Sequence, residues 1–315
     1  MTEQFKKDVL EGLNSSPKFL SSKYFYDKVG DELFVEIMNM PEYYLTRAEF
    51  EIFSKKTQDL IDSFEINKNE KFQLIELGAG DGTKTKELLK ELVIQNFNFE
   101  YIPIDISQHT LDKLETSLNT ELPNLKVNQK QGDYFEVLSS FKEGGVKKIV
   151  LFLGSNIGNL TDDLSAKFLY ELGGNLDKND RLLLGVDLIK SREIVLPAYN
   201  DKQGITAKFN LNLLTRINKE LGGNFDRNLY KHLPEYNEEE GIAKSYIVST
   251  ANQKVDIKSI NQSFEFKEGE KIHTEISRKY NDDIINKITK HTDFNVENKI
   301  LDSKAYFADY ILKRN

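Results

Sequence analysis

The sequence predicts an α/β fold, a doubly wound parallel sheet joined to a second, discontinuous α+β domain. Three observations carry this expectation. Between residues 71 and 190 short apolar runs alternate with amphipathic helical stretches, the pattern of a parallel sheet covered on both faces. After residue 190 the alternation stops and period-two patterning takes over. The last 35 residues then return to a helical stretch and a final apolar run.

In order along the chain, residues 1–53 read as helical, interrupted by two aromatic segments, Lys23-Tyr-Phe-Tyr-Asp27 and Pro41-Glu-Tyr-Tyr-Leu-Thr-Arg47, that follow neither period. Phe72 to Leu77 is a buried strand ending in glycines. Thr83 to Val93 is its helix, with Leu88, Leu89 and Leu92 on one side and lysines and glutamates on the other. Tyr101 to Asp105 is a second strand, followed by a helix marked by Leu111, Leu114 and Leu118. A strand-like stretch spans Leu125 to Val127. Val146 to Leu153 and Arg181 to Leu188 are further strands, separated by a helix around Leu164 to Leu172. Right-handed crossovers place the strand ends at one common edge.

Beyond residue 190, Phe209, Leu213, Leu214, Ile217 and Leu221 form a helical stripe. An acidic, turn-rich segment at Pro234 to Glu240 follows. Residues 243–250 and 254–266 then alternate as antiparallel strands, closed by a turn at Glu270. Ile284, Ile285 and Ile288 mark a last helix, and Ala305 to Leu312 a last strand. The expected division is one domain of residues 54–190 and 280–315, and a second of residues 1–53 and 191–279.

Composition narrows the function. The chain has 315 residues, 39% of them hydrophobic, with 14 Tyr and 20 Phe, enough for a sizeable core. With 43 basic and 51 acidic residues the formal charge is −8, a surface that repels phosphate backbones, so nucleic acid is not expected as a partner. The absence of cysteine removes disulfides, thiolate metal sites and a cysteine nucleophile. The four histidines (His109, His232, His273, His291) have no helical metal-ligand spacing, so no metal is expected. No signal peptide or membrane-length apolar run is visible. A cytoplasmic protein with no membrane or obligate protein partner is expected.

Glu76-Leu-Gly-Ala-Gly-Asp-Gly82 lies between a predicted strand and helix. Glycines let the chain turn sharply and approach a ligand closely, next to free N–H groups at a helix start. The Gly-x-Gly-x-Gly spacing is neither that of dinucleotide sites nor that of phosphate loops. An acidic residue before it suits a ligand that is cationic and carries an amino acid, as S-adenosylmethionine does. Asp105 ends the second strand, placed to accept from both ribose hydroxyls. Asp133 and Tyr134 are positioned to bind an adenine amino group and cover the ring. Taken singly these are a turn, a helix cap and a loop carboxylate; in this order on one frame they predict a methyltransferase.

Lys23-Tyr-Phe-Tyr-Asp27, Pro41-Glu-Tyr-Tyr-Leu-Thr-Arg-Ala-Glu49, Glu76-Leu-Gly-Ala-Gly80, Phe152-Leu-Gly-Ser-Asn-Ile-Gly-Asn-Leu160, Ala198-Tyr-Asn-Asp-Lys-Gln-Gly-Ile-Thr-Ala207 and Thr274-Glu-Ile-Ser277 occur in the order of one family. Over nearly its whole length the chain resembles the S-adenosylmethionine-dependent L-histidine Nα-methyltransferases of ergothioneine biosynthesis, which form hercynine. The resemblance implies a class I methyltransferase, Rossmann-like sheet, with the discontinuous domain binding the amino acid. It assigns Tyr26, Gly78, Lys84, Asp105, Asp133 and Tyr134 to the cofactor. To the substrate L-histidine it assigns Phe34, Tyr43, Gly154, Asn159, Tyr199, Ser245, Glu275, Ile276 and Ser277, with Tyr43 and Asn159 catalytic. Ser245 stands where the family carries a methionine against the imidazole.

These residue types suit the chemistry. Methyl transfer from a sulfonium to an amine is an in-line displacement, for which positioning supplies much of the acceleration. Asn159 and Tyr199 can meet a carboxylate. Glu275 and Ser277, two apart on a strand, share a face and can take both imidazole nitrogens. The aromatic rings can stabilise a growing methylammonium by about 0.5–2 kcal/mol each. Two alternatives stand beside this expectation: the same fold methylating another amino acid such as tryptophan or a derivative, and a non-catalytic binding relative.

Overall fold

The computed structural model describes residues 2–140 and 145–315. The helices are α1 (Thr2–Asn14), α2 (Lys28–Asn39), α3 (Leu45–Lys55), α4 (Thr57–Ser63), α5 (Thr85–Ile94), α6 (Gln108–Glu121), α7 (Tyr134–Ser139), α8 (Asp162–Gly173), α9 (Arg192–Tyr199), α10 (Ile205–Leu221) and α11 (Asp282–Thr289). The strands are β1 (Phe72–Leu77), β2 (Phe99–Asp105), β3 (Lys130–Gln131), β4 (Lys147–Phe152), β5 (Arg181–Asp187), β6 (Tyr230–Asn237), β7 (Ile242–Ser249), β8 (Gln253–Ile257), β9 (Gln262–Phe266), β10 (Lys271–Arg278), β11 (Phe294–Leu301) and β12 (Phe307–Arg314). The chain divides into two compact units, residues 1–44 with 190–277 and residues 45–189 with 278–315.

The second unit is built on a seven-stranded sheet of order β11-β12-β5-β4-β1-β2-β3. β3, β2, β1, β4 and β5 run parallel, and β12 enters antiparallel between β5 and β11. This is the Rossmann-like, doubly wound sheet expected from the alternation. Its central strands are buried along almost their whole length because helices cover both faces. One apolar layer gathers Leu74, Leu88, Leu92 and Ile149, and the other Ile75, Ile102, Val150 and Leu184. The strand order reverses between β4 and β1, and at that point a doubly wound sheet opens a crevice beyond its carboxyl ends.

The first unit holds α1, α2, α9 and α10, a three-stranded sheet of order β10-β7-β6 and the β8–β9 hairpin. The stripe of α10 (Phe209, Leu213, Leu214, Ile217) meets Phe5, Val9, Phe25, Ile247 and Ile272 in its core.

Four local expectations are corrected. The first boundary falls after Tyr44, not at residue 53, because α3 lays Ala48, Ile52 and Phe53 into the core of the second unit. The stretch Leu125 to Val127 makes only a single bridge, Val127 to Tyr101, and the strand proper is the two-residue β3; at the sheet edge one neighbour supports little pairing. Pro234 to Asn237 belongs to β6, and only the residues after it turn. β6 is an edge strand, which tolerates proline and exposed carboxylates. β11 was hidden by a bulge between Val296 and Asn298, which breaks the apolar alternation.

Candidate functional site

In the second unit the glycine loop turns where β1 ends. Gly78, Gly80 and Gly82 all adopt left-handed φ, +72°, +56° and +67°, a region that costs other residues about 1–2 kcal/mol. Space matters as much as conformation. A Cβ on Gly78 would stand 2.8 Å from the Tyr134 hydroxyl, whereas one on Gly80 would meet nothing within 4 Å. The loop thus leaves an open cradle at Gly80, beside the Asp105 carboxylate, which lies 3.4 Å from the Gly80 N–H and accepts from Ser107 N–H at 2.9 Å. Tyr134 is half-buried; burial, helped by the charges of Asp105 and Asp133, pushes its hydroxyl up to about 12, so it remains a donor. Asp133 is exposed and caps α7 through Phe135 N–H at 2.9 Å. An acceptor at the tip of β2, a ring over the loop and backbone space between them fit a nucleoside cofactor.

Where β4 ends, Gly154 and Ser155 are both left-handed, at φ +73° and +57°. Three anchors hold this turn. Gly154 N–H donates to the Glu49 carboxylate (2.8 and 3.0 Å), Ser155 N–H to the Gly185 carbonyl (3.1 Å), and Ser155 Oγ accepts from Asp187 N–H (3.0 Å). Lys84, the residue before α5, pairs with the same Glu49. Asn159 ends the 3₁₀ turn that follows and is exposed.

In the first unit, Glu275 and Ser277 lie two apart on β10. Ser277 Oγ bonds Tyr199 Oη at 2.8 Å, both residues being buried. Ser245 on the neighbouring β7 is buried and directs Oγ toward Glu275 Oε2 at 3.5 Å. Four rings stand together. Phe34 meets Tyr26 at 5.5 Å, Phe209 at 6.0 Å and Tyr43 at 6.5 Å between centroids. Tyr26 is itself 46% exposed. The unit therefore offers a carboxylate, three hydroxyls and an aromatic group, a set suited to a small polar molecule with a cationic or heteroaromatic part. Among the described residues no cluster of three or more histidine, cysteine, aspartate or glutamate side chains is placed to hold a metal ion. No described helix is long and apolar enough to cross a membrane.

The family described as histidine-specific, S-adenosylmethionine-dependent methyltransferase matches residues 5–314. The chain belongs to this family. A histidine N-alpha-methyltransferase of Mycobacterium tuberculosis (strain CDC 1551 / Oshkosh) is 36% identical over 275 residues, 87% of this chain and 84% of that one. Its namesake in Mycolicibacterium smegmatis (strain ATCC 700084 / mc(2)155) is 34% identical over 278 residues, 88% of this chain and 85% of that one. Ergothioneine biosynthesis protein 1 of Schizosaccharomyces pombe (strain 972 / ATCC 24843) is 30% identical over 302 residues, 94% of this chain and 39% of that protein.

As a member of the histidine-specific methyltransferases, the chain is an S-adenosylmethionine-dependent enzyme with the class I fold. Gly78, Lys84, Asp105, Asp133, Tyr134, Gly154 and Asn159 fall in its second unit; Phe34, Tyr43, Tyr199, Ser245, Glu275, Ile276 and Ser277 fall in its first. Tyr26, assigned to the cofactor, packs against Phe34 and Phe209 in the first unit. One expectation changes. Glu76, read as the partner of a cationic ligand, is buried, with its carboxylate taken by Tyr101 and by Thr85 at 2.7 Å. Burial, outweighing these bonds, pushes it up to about 7. Three residues were missed: Phe209, hidden in an ordinary apolar stripe; Glu49, the last residue of the Pro-Glu-Tyr-Tyr motif; and Asn156, whose amide nitrogen would lie 3.9 Å from a Cβ at Gly78 and 3.7 Å from one at Gly154.

Proposed function

We propose that this enzyme methylates the α-amino nitrogen of L-histidine three times, giving N,N,N-trimethyl-L-histidine (hercynine). The observation that carries it is the polar face of β10, where Glu275 and Ser277 stand with Ser245 and Tyr199, in a unit that also gathers the Tyr26, Phe34 and Tyr43 rings. Glu275 is the acceptor for one imidazole N–H, and Ser277, oriented by Tyr199, serves the other nitrogen. Bound S-adenosylmethionine supplies an electrophilic sulfonium methyl.

On the cofactor side, Asp105 accepts from the ribose hydroxyls, Tyr134 covers the base, Asp133 meets its amino group, and the glycine loop admits the backbone of the ligand. Tyr199 meets the substrate carboxylate, and Tyr43 orients the amine. The lone pair must lie in line with the scissile bond, so these residues act by placement. Rings that face the nitrogen stabilise the positive charge it gains in each transfer, by about 0.5–2 kcal/mol per contact, and the proton it then carries leaves to solvent before the next round.

Mass spectrometry of histidine incubated with the protein and the cofactor tests this. Trimethylhistidine is the expected product. A halt at monomethylhistidine with excess cofactor would remove the claim of three rounds. Faster turnover of tryptophan, for which the small Ser245 leaves room, would replace the substrate.

A further inference from the structure

Beneath the Gly154 turn lies a group of charges for which the proposed reaction has no use. Glu49 on α3 is 1% exposed and Asp309 on β12 is 0% exposed. Both face one point. Gly185 on β5 is the register partner of Asp309; a Cβ there would collide with Glu49 Oε1 and stand 3.0 Å from Asp309 Oδ1. The φ of Gly185 is not left-handed, so glycine is needed here for room alone.

The two carboxyls differ in their partners. Glu49 receives the Lys84 ammonium and the Gly154 N–H. Neither oxygen of Asp309 has a hydrogen-bond partner. An unpartnered, desolvated carboxylate facing a second carboxylate is strongly disfavoured, and a proton relieves both problems. The Lys84 ammonium, bonded to Glu49, pulls Asp309 the other way without overcoming its burial. Glu76 on β1 is occupied by Tyr101 of β2 and Thr85 of α5. Asp187, further along β5, is paired with Lys279 at 2.8 Å.

We propose that Glu49 and Asp309 form a buried carboxyl pair holding one proton, carried by Asp309, and that this pair positions Lys84 and the Gly154 turn for the S-adenosyl cofactor. Burial and the facing Glu49 charge also hold Asp309 well above the carboxylate range. The proton keeps Glu49 the only strong acceptor for Lys84. Its loss places a second buried negative charge beside the ammonium and draws it inward, away from the loop. Asp309 and Glu49 are thus positioning residues that act through Lys84 and Gly154. The inference rests on the cofactor half of the function proposed above and is independent of which amino acid is methylated.

Two readouts test it. In protein labelled with ¹³C at aspartate side chains, infrared spectroscopy at pH 7 should show a protonated aspartic acid stretch that disappears at high pH. Calorimetric titration with S-adenosylhomocysteine should show Kd rising toward tenfold per pH unit once the pair ionises. Asp309→Asn, which is close in size and cannot ionise, should lack both the band and its share of the alkaline rise, and the ligand amine titrates equally in both proteins. Glu49→Gln should raise Kd at least tenfold at pH 7. Absence of the aspartic acid band, or the same alkaline rise in wild type and Asp309→Asn, would overturn the proposal. Failure of histidine turnover with both readouts intact would instead count against the substrate.

Discussion

The hydroxyls of Tyr199 and Ser277 lie 2.8 Å apart, a buried bond that joins the last residue of α9 to β10. Tyr199→Phe removes one partner and leaves the Ser277 hydroxyl to reorient in a buried setting, which costs about 1–3 kcal/mol. Histidine Kd should rise by roughly 5- to 150-fold. Cofactor affinity measured by calorimetry should stay within experimental error.

Glu275→Ala should separate the two ligands more sharply. Its carboxylate is the only acidic group on the polar face of β10, and sites built to hydrogen-bond a substrate lose far more than sites that only enclose it. We expect kcat/KM for histidine to fall by roughly 100-fold or more, with S-adenosylhomocysteine binding retained. Equal loss of both would contradict the role given to Glu275.

Asp105→Ala should do the reverse. The carboxylate stands at the tip of β2 beside Gly80, and charge-assisted bonds to ribose hydroxyls are worth about 1.5–3 kcal/mol. Cofactor Kd should rise by roughly 10- to 150-fold, while the KM for histidine at saturating cofactor changes little.

Glu76 makes stability depend on pH. Folding raises its pKa from 4.5 to about 7, chiefly through burial. Between those values the folded protein binds more protons than the unfolded chain, so this contribution is fully present below about pH 4.5 and is lost as pH rises through about 7. The loss amounts to about 3 kcal/mol. Glu76→Gln, which can still meet Tyr101 and Thr85, should be more stable relative to wild type at pH 8 than at pH 5 in thermal unfolding. A constant difference across that range would show that Glu76 is charged throughout.

Much of the second unit was legible because its signals are local. Phe72 to Leu77 ends in glycines that must turn with positive φ, and Leu88, Leu89 and Leu92 place one helical face on the sheet. The motif residues of the amino acid site were legible through family resemblance. Ser277 and Tyr199 are far apart in the chain, and no periodicity links them. The bulge in β11 and the proline in β6 misled because local patterning assumes an unbroken, two-sided strand.

By itself the sequence determined the α/β class, the glycine loop, the family and the residue types available for chemistry, since apolar period and turn residues act over a few positions. Only the tertiary structure decided which carboxylates are buried and what they face. Glu49 and Gly154 are 105 residues apart, Asp309 comes from the last strand, and the room they share exists because Gly185 lacks a side chain. Desolvation depends on all the neighbours that packing brings together, and so Glu76 turned from an expected ligand group into a core acid.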